Sequence, residues 1–203
     1  RIFNSDGSEA EMCGNGVRCF GAYAVYKKTA GKRMRVETKA GIIEVEVNGA
    51  LVRANLGAPS GLKIGLKPVV DGKKMTVHFV NTGVPHCVVF CGNVKNIDVV
   101  SLGRALRRHA IFSPKGTNVD FVRVLGKNKL AVRTYERGVE AETCACGTGA
   151  TASALMGNIV KKTLFPTSVL TSGGELLTIY RRAGDSSLLL EGRIRLICAG
   201  ELF

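Results

Sequence analysis

Two cysteines of this 203-residue chain stand in the same local pattern, Cys-Gly-x-Gly. Cys13 opens CGNG and Cys146 opens CGTG, and a stretch of small and apolar residues follows each of them. Glycines at the start of a helix let the unsatisfied backbone N–H groups approach a carboxylate or phosphate closely. A cysteine at the same place lies in the positive field of the helix N-terminus, which favours its thiolate form.

Two such thiols, held on opposite sides of one small anion, can act as a pair of bases. One thiolate removes a proton from carbon, and the opposite thiol returns a proton to the other face, which inverts a stereocentre. A lone cysteine is more often a small buried hydrophobe. The matched surroundings of Cys13 and Cys146 favour catalysis, whereas the other five cysteines have no matched partner and are interpreted as packing residues.

The two motifs belong to a longer internal repeat. When Cys13 is aligned on Cys146, VETKAG matches VLTSGG, and Gly41 and Gly174 stand at the same distance after their cysteines. Each of these glycines leads into a strand pattern, IIEVEV or ELLTIY. The repeat predicts, twice, a helix that starts at the motif and then a two-stranded hairpin. One cysteine from each copy would meet the other at the interface between two pseudo-equivalent halves.

The remaining segments favour strands over helices. Alternating apolar residues predict paired strands over 74–92, around a Gly-Val-Pro turn, and two further strands over 117–138. The stretch 99–113 predicts a helix capped at Ser101. The tail, 187–203, predicts two more strands.

These elements indicate an α+β fold of two pseudo-symmetric halves. Each half is expected to be a largely antiparallel sheet wrapped around a central helix, with the active site between the halves. We expect residues 1–57 to form the N-terminal half and residues 58–190 the C-terminal half. Residues 191–203 would return to the N-terminal half as the final strands.

Composition narrows the range of partners and compartments. The net charge is +13, but aromatic residues make up only 6%, no Trp is present, and aromatic and basic residues are not interleaved. This argues against a nucleic-acid partner and leaves it as a distant alternative. No stretch has the length of a membrane span, so no membrane partner is expected. Seven cysteines, an odd number, favour a reducing, cytoplasmic setting, and their spacing does not match a structural metal site.

The segments FNSDGSEAEMCGNGVRC and YERGVEAETCACGTG closely resemble the two signature segments of the diaminopimelate epimerase family. The similarity extends over essentially the whole chain. It implies an isomerase that interconverts LL- and meso-diaminopimelate in lysine and peptidoglycan biosynthesis. The family needs no pyridoxal phosphate, so the resemblance implies no cofactor and a small-molecule partner. The resemblance does not decide the oligomeric state, and a homodimer is possible.

The resemblance also implies individual roles. Cys13 and Cys146 would be the catalytic thiols, assisted by His86 and Glu136. The helix starts would bind the α-carboxylate of the substrate, and Arg137 its distal carboxylate. The residues implied in substrate binding are Asn4, Gly14, Asn15, Asn118, Glu136, Arg137, Gly147 and Thr148.

The sequence departs from the family pattern in two respects. Val84 stands where the family usually has an Asn that contacts the distal end of the substrate. The loss of that hydrogen bond predicts looser discrimination among amino acids. The family also begins with upstream strands that this sequence does not contain. We therefore expect the half formed by residues 1–57 to be incomplete, and residues 1–203 alone to be unstable or inactive.

Two related families are weaker matches. Proline racemase shares the two-cysteine chemistry, but it typically has His in place of Asn15 and a Ser-Pro pair before the second cysteine. Here Cys144 and Ala145 precede Cys146. A proline-type or broad-specificity amino-acid racemase is thus the second interpretation. The other family, of isomerases with the same fold, carries carboxylates in place of both thiols. The presence of Cys13 and Cys146 in this chain therefore excludes that family.

Overall fold

The computed structural model describes Arg1, Phe3, Gly7, Glu9 and residues 12–200. Within these residues the α-helices are α1 (Gly14–Tyr26), α2 (Val99–Arg107) and α3 (Gly147–Ile159). The strands before α2 are β1 (Arg33–Thr38), β2 (Gly41–Asn48), β3 (Leu51–Asn55), β4 (Ser60–Leu66), β5 (Val69–Val70), β6 (Lys73–Lys74), β7 (Val77–Asn81) and β8 (Pro85–Phe90). The later strands are β9 (Asn118–Gly126), β10 (Lys129–Glu136), β11 (Ala141–Thr143), β12 (Thr167–Leu170), β13 (Leu176–Arg181) and β14 (Leu188–Arg193).

Twelve of these strands form one sheet. Its order is β1-β2-β3-β14-β13-β12-β10-β9-β8-β7-β4, and β11 pairs with β10 outside this path. Neighbouring strands run antiparallel except at β8–β9 and β10–β12, where they are parallel. The predicted α+β class, with a largely antiparallel sheet, is confirmed.

The internal repeat predicted from the sequence is present as a repeat of structure. Helix α1 is followed by β1, β2 and β3, and helix α3 by β12, β13 and β14. The hairpins β1–β2 and β12–β13 turn at Gly41 and Gly174, which have φ angles of 109° and 81°. These positive angles favour glycine. The two copies meet where β14 pairs antiparallel with β3.

Helices α1 and α3 are buried to different extents. Almost every residue of α3 is buried, and the helix contacts strands on both sides of the β10–β12 pair. Helix α1 packs on β2 and β3 through Val17, Gly21 and Ala24. Its other face exposes the aromatic rings of Phe20 and Tyr23. One helix thus lies inside the fold, and the other is covered along one face only.

Leu190 of β14 lies beneath the N-termini of both helices. Its side chain is fully buried. A Cβ atom added to Gly14 would lie 3.0 Å from Leu190 Cδ2, and one added to Gly147 only 2.7 Å from it. Because real Cβ contacts are longer than this, glycine at both positions is what allows the helices to rest on the same leucine.

On the solvent side of the sheet, charges of alternating sign cross the junction between the two copies. Arg33 pairs with Glu46, Glu46 lies beside Arg53, and Arg53 bonds to Glu191 at 2.7 Å. The Arg53 guanidinium also stacks over the Tyr180 ring, 4.4 Å from its centroid. A single exposed ion pair contributes little to stability, but a connected set of this kind fixes the β3–β14 register more effectively.

Two sequence-based predictions about element ends are wrong. The helix after residue 98 begins at Val99 and is capped by Asp98, whose carboxylate accepts the Ser101 N–H at 3.0 Å. Ser101 therefore lies inside the helix, which ends at Arg107 because His109 returns to extended backbone. In the described part of the tail there is one strand, β14, instead of two.

Strand β14 pairs with β3 of the first copy and with β13 of the second. Residues 190 and 191 lie within this strand, and the division of the chain at 57/58 and 190/191 stays a prediction. In the part of the chain that the structure describes, no helix is long and apolar enough to span a membrane.

The position of Leu190 leads to a stability prediction. Leu190→Ala should lower the free energy of unfolding by about 3 kcal/mol, since it removes a fully buried side chain and leaves a cavity between two helix ends. Leu189→Ala, on the half-buried opposite face of the same strand, is the control and should cost less than about 1.5 kcal/mol. Urea denaturation of both variants measures this, and equal losses would contradict it.

Candidate active site

The two helix starts face each other across the junction. Cys13 and Cys146 are the N-cap residues of α1 and α3, and both have extended backbone, with φ/ψ of −135°/117° and −118°/109°. A Cβ atom on Gly14 would lie 3.8 Å from the Cα atom of Gly147, and the reverse distance is the same. The structure therefore brings together the two Cys-Gly-x-Gly motifs, as the repeat predicted.

A cavity of about 540 Å³ opens at this point. Its lining includes both cysteines and most of the predicted substrate-binding residues, namely Gly14, Asn15, Asn118, Glu136, Arg137, Gly147 and Thr148. Asn4 lies outside the described residues. His86 does not line the cavity; it is fully buried behind the wall.

The thiol of Cys13 is half-buried, and its Sγ accepts the backbone N–H of Gly16 at 3.4 Å. Behind it, the guanidinium of Arg18 donates to the Gly14 carbonyl at 3.2 Å and to Asn15 Oδ1 at 2.7 Å. Asn15 then donates to the Ala145 carbonyl, 3.3 Å away in the other copy of the repeat. Arg18 thereby fixes a cavity-lining amide that also connects the two halves.

Arg18 is an unusual buried cation. Only 1% of its surface is exposed, and its nearest carboxylate, on Glu175, is 3.5 Å away. Its Nη1 atom has no hydrogen-bond partner in the described part of the chain. A Cβ atom on Gly192 would collide with the guanidinium, so this glycine makes the space for the arginine. The positive charge lies directly behind the α1 N-terminus, where it reinforces attraction for an anion.

The thiol of Cys146 has different surroundings. Its Sγ is 3.4 Å from the Thr148 hydroxyl. Burial raises the pKa of Cys146 well above its usual value, and the nearby carboxylates Glu136 and Asp120 raise it further. Glu136 ends β10 and is held by the Thr143 hydroxyl at 2.9 Å. Negative charge on Cys146 is thus disfavoured before a ligand binds.

His86 reaches Cys146 only through another residue. Its Nε2 lies 3.0 Å from the Thr148 hydroxyl, and its Nδ1 lies 2.8 Å from Asp120 Oδ2. The second oxygen of Asp120 accepts the Thr134 hydroxyl at 2.8 Å. These contacts follow from the parallel pairing of β8 with β9, which places Asp120 next to the strand that carries His86.

Asn118 and Arg137 lie on the far side of the cavity. Asn118 Nδ2 donates to the Pro85 carbonyl at 2.8 Å, and its Oδ1 accepts the Arg137 backbone N–H at 2.9 Å. The Arg137 guanidinium uses one N–H on the Lys115 carbonyl. Its remaining N–H groups make no hydrogen bond to another described residue, and a guanidinium can use them to bind a carboxylate. Asn118 therefore ties the turn that contains Val84 to the arginine.

Sequence reasoning missed several residues of the site. Arg18 shares the helix face of Val17, Gly21 and Ala24, and a charge on an otherwise apolar face was a usable signal. Asp120 lies two residues after Asn118 in the segment TNVDF, but nothing in its spacing indicates the histidine it contacts. Asn81, the last residue of β7, also lines the cavity.

Among the described residues, no group of three or more His, Cys, Asp or Glu side chains is placed to hold a metal ion. All seven cysteines are free thiols. The chemistry that this site can perform with its own groups is therefore proton transfer by thiols next to an anion-binding pair of helix ends.

Comparison with known proteins agrees with this geometry. The family model described as diaminopimelate epimerase matches residues 1–61 and 78–197. The chain belongs to the diaminopimelate epimerase family. It is 47% identical to the diaminopimelate epimerase of Aquifex aeolicus, over 99% of this chain and 73% of that protein. It is 44% identical to that of Archaeoglobus fulgidus, over 97% of this chain and 75% of that protein.

The fold extends beyond this family. A crystal structure of a probable proline racemase from Agrobacterium radiobacter aligns with a TM-score of 0.69 at 15% identity, covering 94% of this chain and 67% of that one. The likeness shows a common fold. Sequence identity places the chain with the epimerases instead of the proline racemases, which were the second interpretation.

The environment of Cys146 predicts a reactivity difference within one peptide. At pH 8, iodoacetamide should modify the exposed Cys144 at least about tenfold faster than Cys146, because only the thiolate reacts and the pKa of Cys146 is raised. The difference should narrow as the pH rises above about 9. Peptide mass spectrometry over time measures both rates. Equal rates at pH 8 would contradict the prediction.

Proposed function

We propose that this chain interconverts LL- and meso-diaminopimelate by transferring the α-proton between two thiols. The observation that carries the proposal is the apposition of Cys13 and Cys146, each at a helix N-terminus, across one cavity. Family membership supplies the substrate, since the relatives are diaminopimelate epimerases. The reaction belongs to lysine and peptidoglycan biosynthesis, and it uses no cofactor.

The first step is binding of the α-carboxylate between the helices. Gly14, Asn15, Gly147 and Thr148, which follow the two cysteines, line the cavity, and as first-turn residues their N–H groups have no partner within the helix. Both helix ends also carry partial positive charge. When the α-proton leaves, negative charge spreads onto this carboxylate. The same donors then stabilise the developing charge without reorganisation, which is the requirement for acidifying a carbon acid.

Each turnover moves one proton from the substrate carbon to one cysteine and one proton from the other cysteine to that carbon. In the direction described here Cys13 starts as the thiolate and Cys146 as the thiol, since burial and the carboxylates Glu136 and Asp120 raise the pKa of Cys146. The Cys13 thiolate removes the α-proton from one face of the carbon and becomes a thiol. Cys146 gives its S–H proton to the opposite face and becomes a thiolate. The reverse reaction exchanges the two roles.

The distal end of the substrate lies where the cavity carries charge of both signs. Arg137 is available for a carboxylate, and Glu136 for an ammonium group. Asn118 positions Arg137 through its backbone N–H. These assignments suit a substrate with an amino-acid head at each end.

Hydrogen exchange tests the reaction. With the reduced full-length protein and no added cofactor, LL-diaminopimelate should exchange its α-hydrogen in D2O with inversion, and NMR measures both. Cys13→Ala and Cys146→Ala should each lower the rate of inversion by at least about a thousandfold, since neither thiol can replace the other. Cys144→Ala is the control and should retain the activity. Inversion that survives in either alanine variant would contradict the two-thiol mechanism.

The same assay measures substrate breadth. With Val84 at the turn, we propose activity on glutamate or other amino acids above the level usual for the family. Proline and glutamate are the comparison substrates. A large preference for diaminopimelate over both would overturn the broader specificity and leave the two-thiol mechanism in place.

Arg18 should matter more for activity than for stability. Arg18→Met keeps the length of the side chain but removes the bonds to Gly14 and Asn15, so kcat/KM should fall by about tenfold or more. The midpoint of urea denaturation should change little, because an apolar residue can replace a buried cation at little net cost. Arg123→Met, on an exposed strand position, is the matched control. Full activity in Arg18→Met would refute the role.

We further propose a cytoplasmic location. Seven free thiols suit a reducing compartment, which supports the location.

A further inference from the structure

A chain of buried hydrogen bonds connects Cys146 to the core of the second half. It runs from Cys146 Sγ to the Thr148 hydroxyl at 3.4 Å, to His86 Nε2 at 3.0 Å, and from His86 Nδ1 to Asp120 at 2.8 Å. His86 and Asp120 are both fully buried, and Thr148 is 7% exposed. No other charged side chain forms an ion pair with Asp120 in the described part of the chain.

The donors and acceptors of this chain fix its direction. Asp120 accepts the Thr134 hydroxyl on Oδ1, and as a carboxylate it accepts again on Oδ2, so His86 Nδ1 must carry a hydrogen. A neutral imidazole protonated at Nδ1 presents a lone pair at Nε2. The Thr148 hydroxyl therefore donates to Nε2. Its oxygen is then free to accept from the Cys146 thiol.

We propose that Asp120 is a positioning residue that makes His86 the acceptor of the Cys146 proton, by way of the Thr148 hydroxyl. The inference rests on the proposed function, in which Cys146 must become a thiolate for one direction of the reaction. It adds to that function a residue, Asp120, and a route for the proton.

The transfer balances in protons and charge. The S–H bond of Cys146 breaks as its proton passes to Thr148 Oγ1, and the hydrogen of that hydroxyl passes to His86 Nε2. The products are a thiolate and an imidazolium, and the imidazolium lies beside the Asp120 carboxylate. The threonine ends as a neutral hydroxyl. The relay runs back along the same bonds when the proton on His86 Nε2 passes to Thr148 Oγ1 and the hydroxyl hydrogen passes to Cys146 Sγ, which restores the thiol and the neutral imidazole.

A purely electrostatic role for Asp120 predicts the opposite effect of its removal on formation of the Cys146 thiolate. If Asp120 acted only through its charge, it would oppose ionisation of Cys146 together with Glu136, the other carboxylate near this thiol. Removal of the Asp120 charge would then make the thiolate easier to form. If Asp120 instead holds the histidine as an acceptor, its removal makes the thiolate harder to form. One measurement separates the two.

The test is the rate of Cys146 alkylation by iodoacetamide at pH 9 in Asp120→Asn. An amide at this position can donate to His86 Nδ1, which moves the hydrogen to Nε2 and removes the acceptor. We expect the Cys146 rate to fall by about tenfold or more, as for a thiolate population that is one pKa unit less favoured. The rate at Cys13, in the same digests, should be unchanged. An equal or faster rate at Cys146 would overturn the proposal.

NMR reports the histidine directly. The chain has three histidines, so the ring resonances of His86 can be assigned by a single substitution. In the unsubstituted protein the neutral ring should carry its hydrogen on Nδ1, and in Asp120→Asn on Nε2. The same tautomer in both proteins would overturn the proposal, whatever the alkylation rates.

Substitutions at Thr148 keep the test decisive where Asp120→Asn does not fold. Thr148→Val removes the hydroxyl and should slow Cys146 alkylation by about tenfold, whereas Thr148→Ser keeps the hydroxyl and should stay within about twofold. Thr151→Val, one turn later on the same buried helix, is the matched control and should leave the rate unchanged. Loss of rate in both valine variants, or in neither, would refute the relay.

These readouts do not depend on turnover. If the alkylation and NMR results hold while diaminopimelate is not epimerised, the relay stands and the proposed function fails. If epimerisation occurs but the Asp120 and Thr148 variants behave as the unsubstituted protein, the relay fails and the function stands.

Discussion

The close approach of two helix N-termini is the constraint on which the rest of the structure depends. Each end carries roughly half a positive charge, so the two repel each other across the cavity. Backbone packing of Gly14 against Gly147, with Leu190 beneath both, keeps them together. The β3–β14 pairing supplies the rigid floor. Two partial positive charges held this close attract an anion between the helices, and the substrate carboxylate is that anion in the proposed function.

The repeat is symmetric in its backbone and asymmetric in its charges. Arg18 and Thr151 occupy equivalent positions, and each donates to the carbonyl of the first helical residue. Arg18 places a buried cation behind Cys13, whereas Thr151 places no charge behind Cys146. The carboxylates of Glu136 and Asp120 lie near Cys146 and raise the pKa of its buried thiol further. An enzyme that uses both thiols in each turnover must compensate for this difference, and the hydrogen-bonded pair behind Cys146 is placed to do so.

The sequence predicted those features that depend on local pattern. Repetition of Cys-Gly-x-Gly located both helix starts and the meeting of the two halves, because glycine and the N-cap position are local requirements. The repeated pattern itself does not connect His86 to Cys146, and only the family resemblance implied that His86 assists a thiol. Their connection depends on a parallel strand register between distant segments. The role of Arg18 likewise depends on Gly192, which lies on another strand. The cap at Asp98 was missed because Ser101 is an equally good N-cap residue by type.

Glu136 connects substrate binding to the state of the second thiol. Its carboxylate lines the cavity and raises the pKa of Cys146. In the proposed function an ammonium group of the substrate lies against this carboxylate. Pairing of the two neutralises the charge that opposes a thiolate, so Cys146 ionises more readily with substrate bound than without it. Burial and Glu136 together raise the pKa of the Cys146 thiol, and of these two causes the charge of Glu136 is the one that the ammonium group of the correct substrate removes.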